Sequence, residues 1–193
     1  MRIIAGTARG RTLAGPRGAG TRPTSDKVRG AIFSMLAARG ATFSRVLDLY
    51  AGTGALGIEA LSRGAEFAEF VERDRTACAV IAENLRRAGL SGLSRVHCAA
   101  LPAALARVSG PFGLIFCDPP YADASVNETL ERLRPGHETD AASTIVYEHD
   151  RRTMPPDLCA GLPRQVTRRH GDTSVSLYYL DERDGDGAGG EGA

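Results

Sequence analysis

Apolar and polar residues alternate along this chain in two periods. Val28, Ala31, Ile32, Met35 and Leu36 recur at helical spacing behind Ser25, a side chain that can cap a helix, with Asp26 in the first turn and Gly40 as a stop. From there short apolar runs alternate with further helical stretches. Val46–Tyr50 reads as a strand, 55–61 as a helix closed by Gly64, and 66–72 as a second strand. Val80, Ile81, Asn84, Leu85 and Ala88 mark a helix ended by Gly89, residues 95–98 a third strand, and 101–108 a helix. Residues 112–118 form a fourth strand, Val126, Leu130 and Leu133 another helix, and 144–147 a fifth strand leading to Glu148 and His149. Two β-rich pieces between 163 and 180 flank His170-Gly171-Asp172 and read as an antiparallel pair at the sheet edge. Strands alternating with helices predict an α/β fold with a doubly wound, mainly parallel, Rossmann-like sheet.

The fourth strand ends in Asp118-Pro119-Pro120-Tyr121. Proline cannot continue a ladder, so the carboxylate leaves the sheet at the strand's carboxyl end, where open α/β sheets bind ligands. An acid, a rigid carbonyl and an aromatic ring in four residues suit methyl transfer to the exocyclic amine of a base. The amine's lone pair is delocalised into the ring. Asp118 and the Pro119 carbonyl, each accepting one N–H, hold the nitrogen toward tetrahedral geometry, and Tyr121 stacks on the base. A strand followed by a Pro-Pro turn with an aspartate cap explains the same four residues equally well.

Between the first strand and its helix lies Ala51-Gly52-Thr53-Gly54, a glycine loop that lets backbone N–H groups approach a ligand. Glu72, closing the second strand, is placed to take two ribose hydroxyls. Gly52, Gly54 and Gly57 also satisfy a dinucleotide fingerprint, but Asp48 just before them repels a pyrophosphate and favours the ammonium end of S-adenosylmethionine. Cys98 and Ala99, after the third strand, offer backbone and small apolar surface to an adenine ring. His149 and His170 read as surface or turn histidines.

The chain of 193 residues suits one domain, and its net charge of +1 hides a segregation. Eight basic residues against Asp26 give residues 1–40 a local +7; five acids against Arg183 give residues 181–193 a local −4, with five glycines among them. That acidic tail reads as disordered. Residues 1–23 hold too little apolar surface for a core of their own. They form either a hairpin laid against the main domain or a basic arm gripping RNA or DNA phosphates, with Arg9, Arg11, Arg22 and Arg29 as the contacts. Lys27, Arg29 and Arg39 fall largely off the apolar stripe and, as a plain alternative, make a solvated face. The four cysteines have no metal-ligand spacing and read as free thiols, and no apolar stretch approaches a membrane span.

These pieces together resemble the bacterial 16S rRNA guanine-N2 methyltransferases, Rossmann-like enzymes that use S-adenosylmethionine. The resemblance runs from Met1 to about Leu180 on MRIIAG with Gly10-Arg11, TRPTSDKVRGAIFSML, LDLYAGTGALGIEALSRGA and DPPY. It implies a methyltransferase domain over 24–180 behind an arm over 1–23. It implies a methionine-binding loop at Asp48, Ala51, Gly52, Thr53 and Gly54, the ribose at Glu72, and the target guanine at Asp118 to Tyr121. The implied setting is cytoplasmic: a monomer without metal or membrane, acting on 16S rRNA within the small ribosomal subunit or an assembly intermediate. Three other classes share some of these features. A DNA adenine or cytosine methyltransferase keeps both motifs, a silent RNA-binding protein keeps only the arm, and a nicotinamide oxidoreductase keeps only the glycines.

Overall fold

The computed structural model describes residues 1–15, 25–120 and 123–181. Arg17, Arg22, Tyr121 and the acidic tail from Glu182 onward lie outside the described residues.

Eight strands form one sheet in the order β3-β2-β1-β4-β5-β8-β7-β6. Strands β1 (Arg45–Leu49), β2 (Phe67–Glu72), β3 (Ser94–Cys98), β4 (Leu114–Cys117) and β5 (Thr144–Asp150) run parallel. The edge beyond β5 is antiparallel: β8 (Thr173–Tyr178), β7 (Leu162–His170) and the two-residue β6 (Leu158–Cys159). Nothing in the residue pattern marks β6, because two residues carry no period.

Pleating divides the core. Val46, Phe70, Phe116, Val146 and Leu177 face a layer built on α1 (Asp26–Ala38), α2 (Ala55–Ser62) and α3 (Arg75–Ala88). Leu47, Val71, Ile115, Ile145 and Tyr178 face the other way, against α4 (Val126–Glu131) and residues 104–112. The expected helix over 101–108 is a 3-10 turn, Ala103–Arg107, ending where Val108 turns extended. Five residues close too few bonds to repay the nucleation of an α-helix.

Residues 1–15 are stitched into this core. Arg2 bridges Thr12 in antiparallel fashion, and Ile3, Ala8 and Leu13 are buried with the α1–α3 layer. Glu59 of α2, fully buried, accepts from the backbone N–H groups of Ile4 at 2.7 Å and Ala5 at 3.0 Å. The expected solvated face of α1 is corrected at two positions. Arg29 is fully buried, paired with Asp26 at 3.1 Å and with Glu59 at 3.8 Å, and donates to the Arg2 carbonyl. Arg39 donates to the Thr144 hydroxyl and lies over the Tyr179 ring at 3.9 Å. A long cationic stem can lie along apolar surface when carbonyls and carboxylates meet its head, which residue-type spacing does not show.

Candidate active site

Strand order reverses between β1 and β4, so a crevice opens at their carboxyl ends. The ladders pair Leu49 with both Val71 and Cys117, and Glu72 with Cys98. One step beyond, the register lines up Cys98, Glu72, Tyr50 and Asp118 along the sheet's carboxyl edge. Both motifs read from the sequence therefore meet at one place.

The glycine loop is held from below. Asp48 is buried, and its Oδ2 accepts from Gly57 N–H at 2.9 Å. Burial pushes its carboxyl well above the ordinary range, the Gly57 bond opposes that, and the charges of Asp118 and Glu72 push it further up. Gly54 caps α2 in the left-handed conformation with no side-chain bond. A Cβ there would lie 3.1 Å from Ile81 and 3.3 Å from Ile58 and Phe70, so only glycine fits both φ and space. In the first turn of α2 the Gly57 N–H is therefore met by Asp48, while Gly54 has no side chain to add a cap of its own.

Glu72 clamps the loop at its side: Oε2 accepts from Gly52 N–H and Oε1 from Asp74 N–H, both at 2.8 Å. Each oxygen keeps a lone pair free for a further donor. The Ala51 N–H goes to the Val71 carbonyl at 3.0 Å, and the Ala99 N–H to the Glu72 carbonyl at 2.9 Å. Ala99 thus offers a ligand its small surface and not its amide. Cys98 is exposed beside buried Cys78, whose thiol burial and the neighbouring Cys98 push up to about 12.

Asp118 follows β4 with Pro119 buried and Pro120 exposed. A cavity of about 180 Å³ opens beside the two prolines, lined also by Asp123, Asn127, Tyr147 and His149. His149 is not the surface histidine expected. It is buried in β5, with Nε2 at 2.9 Å from the Ser176 hydroxyl and Nδ1 at 2.9 Å from the Asp150 carbonyl. Burial disfavours the charged ring and lowers its pKa, and Nδ1–H donates to the Asp150 carbonyl.

Two residues of the site escaped the sequence reading. Tyr50 leaves β1 with φ +56°, rare for a side chain of its size, and its hydroxyl bonds Thr129 of α4 at 2.9 Å. Arg73, next to Glu72, pairs with Asp123 at 3.7 Å, and Asp123 in turn accepts from Ser125 N–H at 2.9 Å. Together they tie the ends of β1 and β2 to α4 and the segment after the prolines. A positive φ and a distant ion pair leave no pattern in a single sequence.

Of the four arginines assigned to RNA, Arg29 is corrected: its guanidinium is buried among Asp26, Glu59 and the Arg2 carbonyl and cannot reach a phosphate. Arg9 and Arg11 are exposed, although Arg11 spends one N–H on the Arg87 carbonyl at 2.7 Å. Arg22 lies outside the described residues. Among the described residues no group of three or more His, Cys, Asp or Glu side chains is placed to hold a metal, and no helix is long and apolar enough to cross a membrane.

Residues 1–179 match the family described as Conserved hypothetical protein 95. The chain belongs to this family. Ribosomal RNA small subunit methyltransferase D of Escherichia coli is 39% identical over 178 residues, covering 92% of this chain and 89% of that protein. YlbH of Bacillus subtilis is 39% identical over 184 residues, covering 92% and 98%. Among solved structures, yhhF of Escherichia coli superposes with a TM-score of 0.76 at 34% identity, covering 92% of this chain and 96% of that one. The fold of this family member is thus the Rossmann-like methyltransferase sheet with an antiparallel carboxyl-terminal edge, and the family is the one its motifs resemble.

Proposed function

We propose that this protein transfers a methyl group from S-adenosylmethionine to the exocyclic N2 amine of a guanine in 16S rRNA. The observation that carries the reading is the convergence, on one crevice, of a clamped glycine loop and the Asp118-Pro119 pair, with the rRNA methyltransferase activity of the relatives behind it.

The donor set fits the cofactor. Glu72 and Asp118 bring carboxylate charge close enough to act on the buried Asp48 beneath the loop. A pyrophosphate is repelled by that field, whereas a molecule carrying a sulfonium and an ammonium is attracted. When bound, the cofactor supplies a methyl group on a positively charged sulfur. Gly52 and Gly54 give it backbone access, Glu72 orients the ribose, and Cys98 with Ala99 flanks the adenine. Asp48 acts from beneath, through the loop that Gly57 anchors.

On the acceptor side, the Asp118 carboxylate and the Pro119 carbonyl take the amine's two N–H bonds and aim its lone pair at the methyl group. Tyr121 is assigned the stack on the base, and the cavity beside Pro119 and Pro120 receives the flipped-out nucleotide. A dedicated base is unnecessary, since a methylated, positively charged amine is a strong acid. In this reading residues 1–23 are a basic arm on a 24–180 methyltransferase domain, residues 181–193 are a tail, and the monomer acts in the cytoplasm on the small subunit or its assembly intermediate.

The test is transfer of a labelled methyl group to naked 16S rRNA, small-subunit particles and duplex DNA, followed by nucleoside analysis. Label in N2-methylguanosine from either RNA substrate supports the reading. Label in DNA, or in another nucleoside, overturns the assignment of the substrate.

A further inference from the structure

The arm over residues 1–15 runs along α3 toward the cofactor crevice. Arg11 bonds the Arg87 carbonyl near the carboxyl end of α3, and three residues later Ala14 meets Asn84, about one turn closer to the helix's amino end. Asn84 is fully buried and spends its whole amide here. Its Oδ1 accepts from Ala14 N–H at 2.7 Å. Its Nδ2 donates to the Ala14 carbonyl at 3.2 Å and to the Thr53 carbonyl at 3.0 Å. Thr53, itself buried, is the residue between Gly52 and Gly54.

We propose that Asn84 is a positioning residue that makes the amino-terminal arm a working part of the cofactor site, by holding Ala14 and the Thr53 carbonyl of the glycine loop with one side-chain amide. The inference rests on the reading of that loop as the S-adenosylmethionine site. It gives the arm, expected above as a hairpin against the main domain or a grip on nucleic acid, a part in the cofactor site.

The physical case is one of preorganisation. Gly52 and Gly54 both have positive φ, and in solution a glycine loop samples many conformations. Bonds that fix the middle of the loop include Gly52 to Glu72, Gly54 N–H to the Ala51 carbonyl at 2.7 Å, and Thr53 to Asn84. The first two lie within the β1–β2 unit. The third is the one that reaches the arm. Asparagine meets the geometry because its flat amide presents a donor pair and an acceptor together, so it can pair with both backbone groups of Ala14 and still reach Thr53. Without it the Thr53 carbonyl loses the donor it has among the described residues, and the loop must rearrange or bear that cost. Arm and loop are then linked: whatever orders the arm favours the binding-ready loop, and the cofactor reciprocally favours the docked arm.

The experiment combines calorimetry with S-adenosylmethionine, amide hydrogen exchange, and steady-state kinetics on Asn84→Ala, Asn84→Asp and Ala14→Pro in the full chain. Asn84→Ala should raise the cofactor Kd and KM about tenfold, the worth of one hydrogen bond, with kcat at saturating cofactor near the parent value. Amides of residues 52–54 should exchange faster by a similar factor while those of β5 and β8 keep their protection. Asn84→Asp, which retains an acceptor for Ala14 and turns the donor facing Thr53 into an acceptor, should behave like Asn84→Ala. Ala14→Pro removes the arm's N–H alone and should give a smaller change of the same kind. A folded Asn84→Ala protein with parent-like cofactor affinity and loop exchange overturns the proposal. If both Asn84 variants fail to fold, parent-like loop exchange in Ala14→Pro overturns it. A parent protein that binds no S-adenosylmethionine would instead remove the proposed cofactor, and loop exchange would still read the link from Asn84.

Discussion

Gly57 stands so close to Asp48 that its N–H donates to the buried carboxylate at 2.9 Å, and a Cβ at Gly57 would lie 3.1 Å from that oxygen and 2.4 Å from the Phe70 ring. The first turn of α2 is therefore docked on β1 by a contact that any side chain at 57 would wedge apart. Gly57→Ala should cost about 1–3 kcal/mol of stability, the usual range for overpacking. Cofactor affinity should fall as well, because the loop between the two residues shifts. Thermal unfolding and calorimetry of one preparation check both.

If the proposed cofactor binds above Asp48, the raised pKa of that residue should give binding a pH dependence. The folded protein holds a proton on Asp48 at pH values where an ordinary carboxylate has lost it, so this residue's contribution to stability is present at low pH. It is lost as pH rises from the ordinary carboxylate value toward the raised one. A bound cation favours the ionised form and pulls the pKa back down. Binding should thus release a proton, and affinity should rise with pH through that window. Calorimetry in two buffers of different ionisation enthalpy measures the proton directly; uptake in place of release would contradict the assignment.

Chemistry and fold should separate at the acceptor side. Asp118→Ala is expected to lower turnover by on the order of 10²- to 10³-fold, with cofactor affinity much less affected. Tyr121→Ala should weaken RNA binding by roughly 1–3 kcal/mol, the worth of a base stack. Single-turnover methylation beside cofactor titration distinguishes the two; parent-like turnover in folded Asp118→Ala would refute the carboxylate's role.

In the proposed site Cys98 flanks the adenine, which makes it a reporter of cofactor binding. It is exposed, whereas Cys78 beside it is buried with its thiol pushed up to about 12, so iodoacetamide near pH 8 should label Cys98 and spare Cys78. Saturating S-adenosylmethionine should protect Cys98. Peptide mapping of the alkylated protein, with and without cofactor, is the measurement.

The basic residues split into two groups. Neutralising Arg9, Arg11 and Arg22 together should flatten the slope of log affinity against log salt by about 2, taking roughly 0.7 per phosphate contact on single strands. Arg29→Ala should leave that slope alone and instead lower stability by about 3 kcal/mol or more, because it strands part of the buried charge around Glu59. A slope unmoved by the triple variant would place the RNA on Arg151, Arg152, Arg168 and Arg169. These flank the β5–β8 and β7–β8 ends, on the carboxyl edge of the sheet.

Some of this architecture was written into local pattern. Ser25 caps α1 through Val28 N–H at 3.2 Å, Gly89 ends α3 with φ +71°, and the turn at Gly171 joins β7 to β8. Each follows from residues within a few positions of one another, where capping, glycine conformation and apolar period act. Asp118 and the glycine loop were legible for the same reason: proline and glycine constrain the backbone wherever they stand. Tertiary structure alone decided the rest. Arg29 has the sequence signature of a surface arginine, and only the return of residues 2–5 over α2, 54 or more positions from Glu59, makes its burial tolerable. Asn84 reads as one polar residue in a helix until Ala14 and Thr53 are brought to it from 70 and 31 positions away. Local propensity is fixed by neighbours in the chain, whereas the cost of burying a polar group depends on partners that only folding supplies.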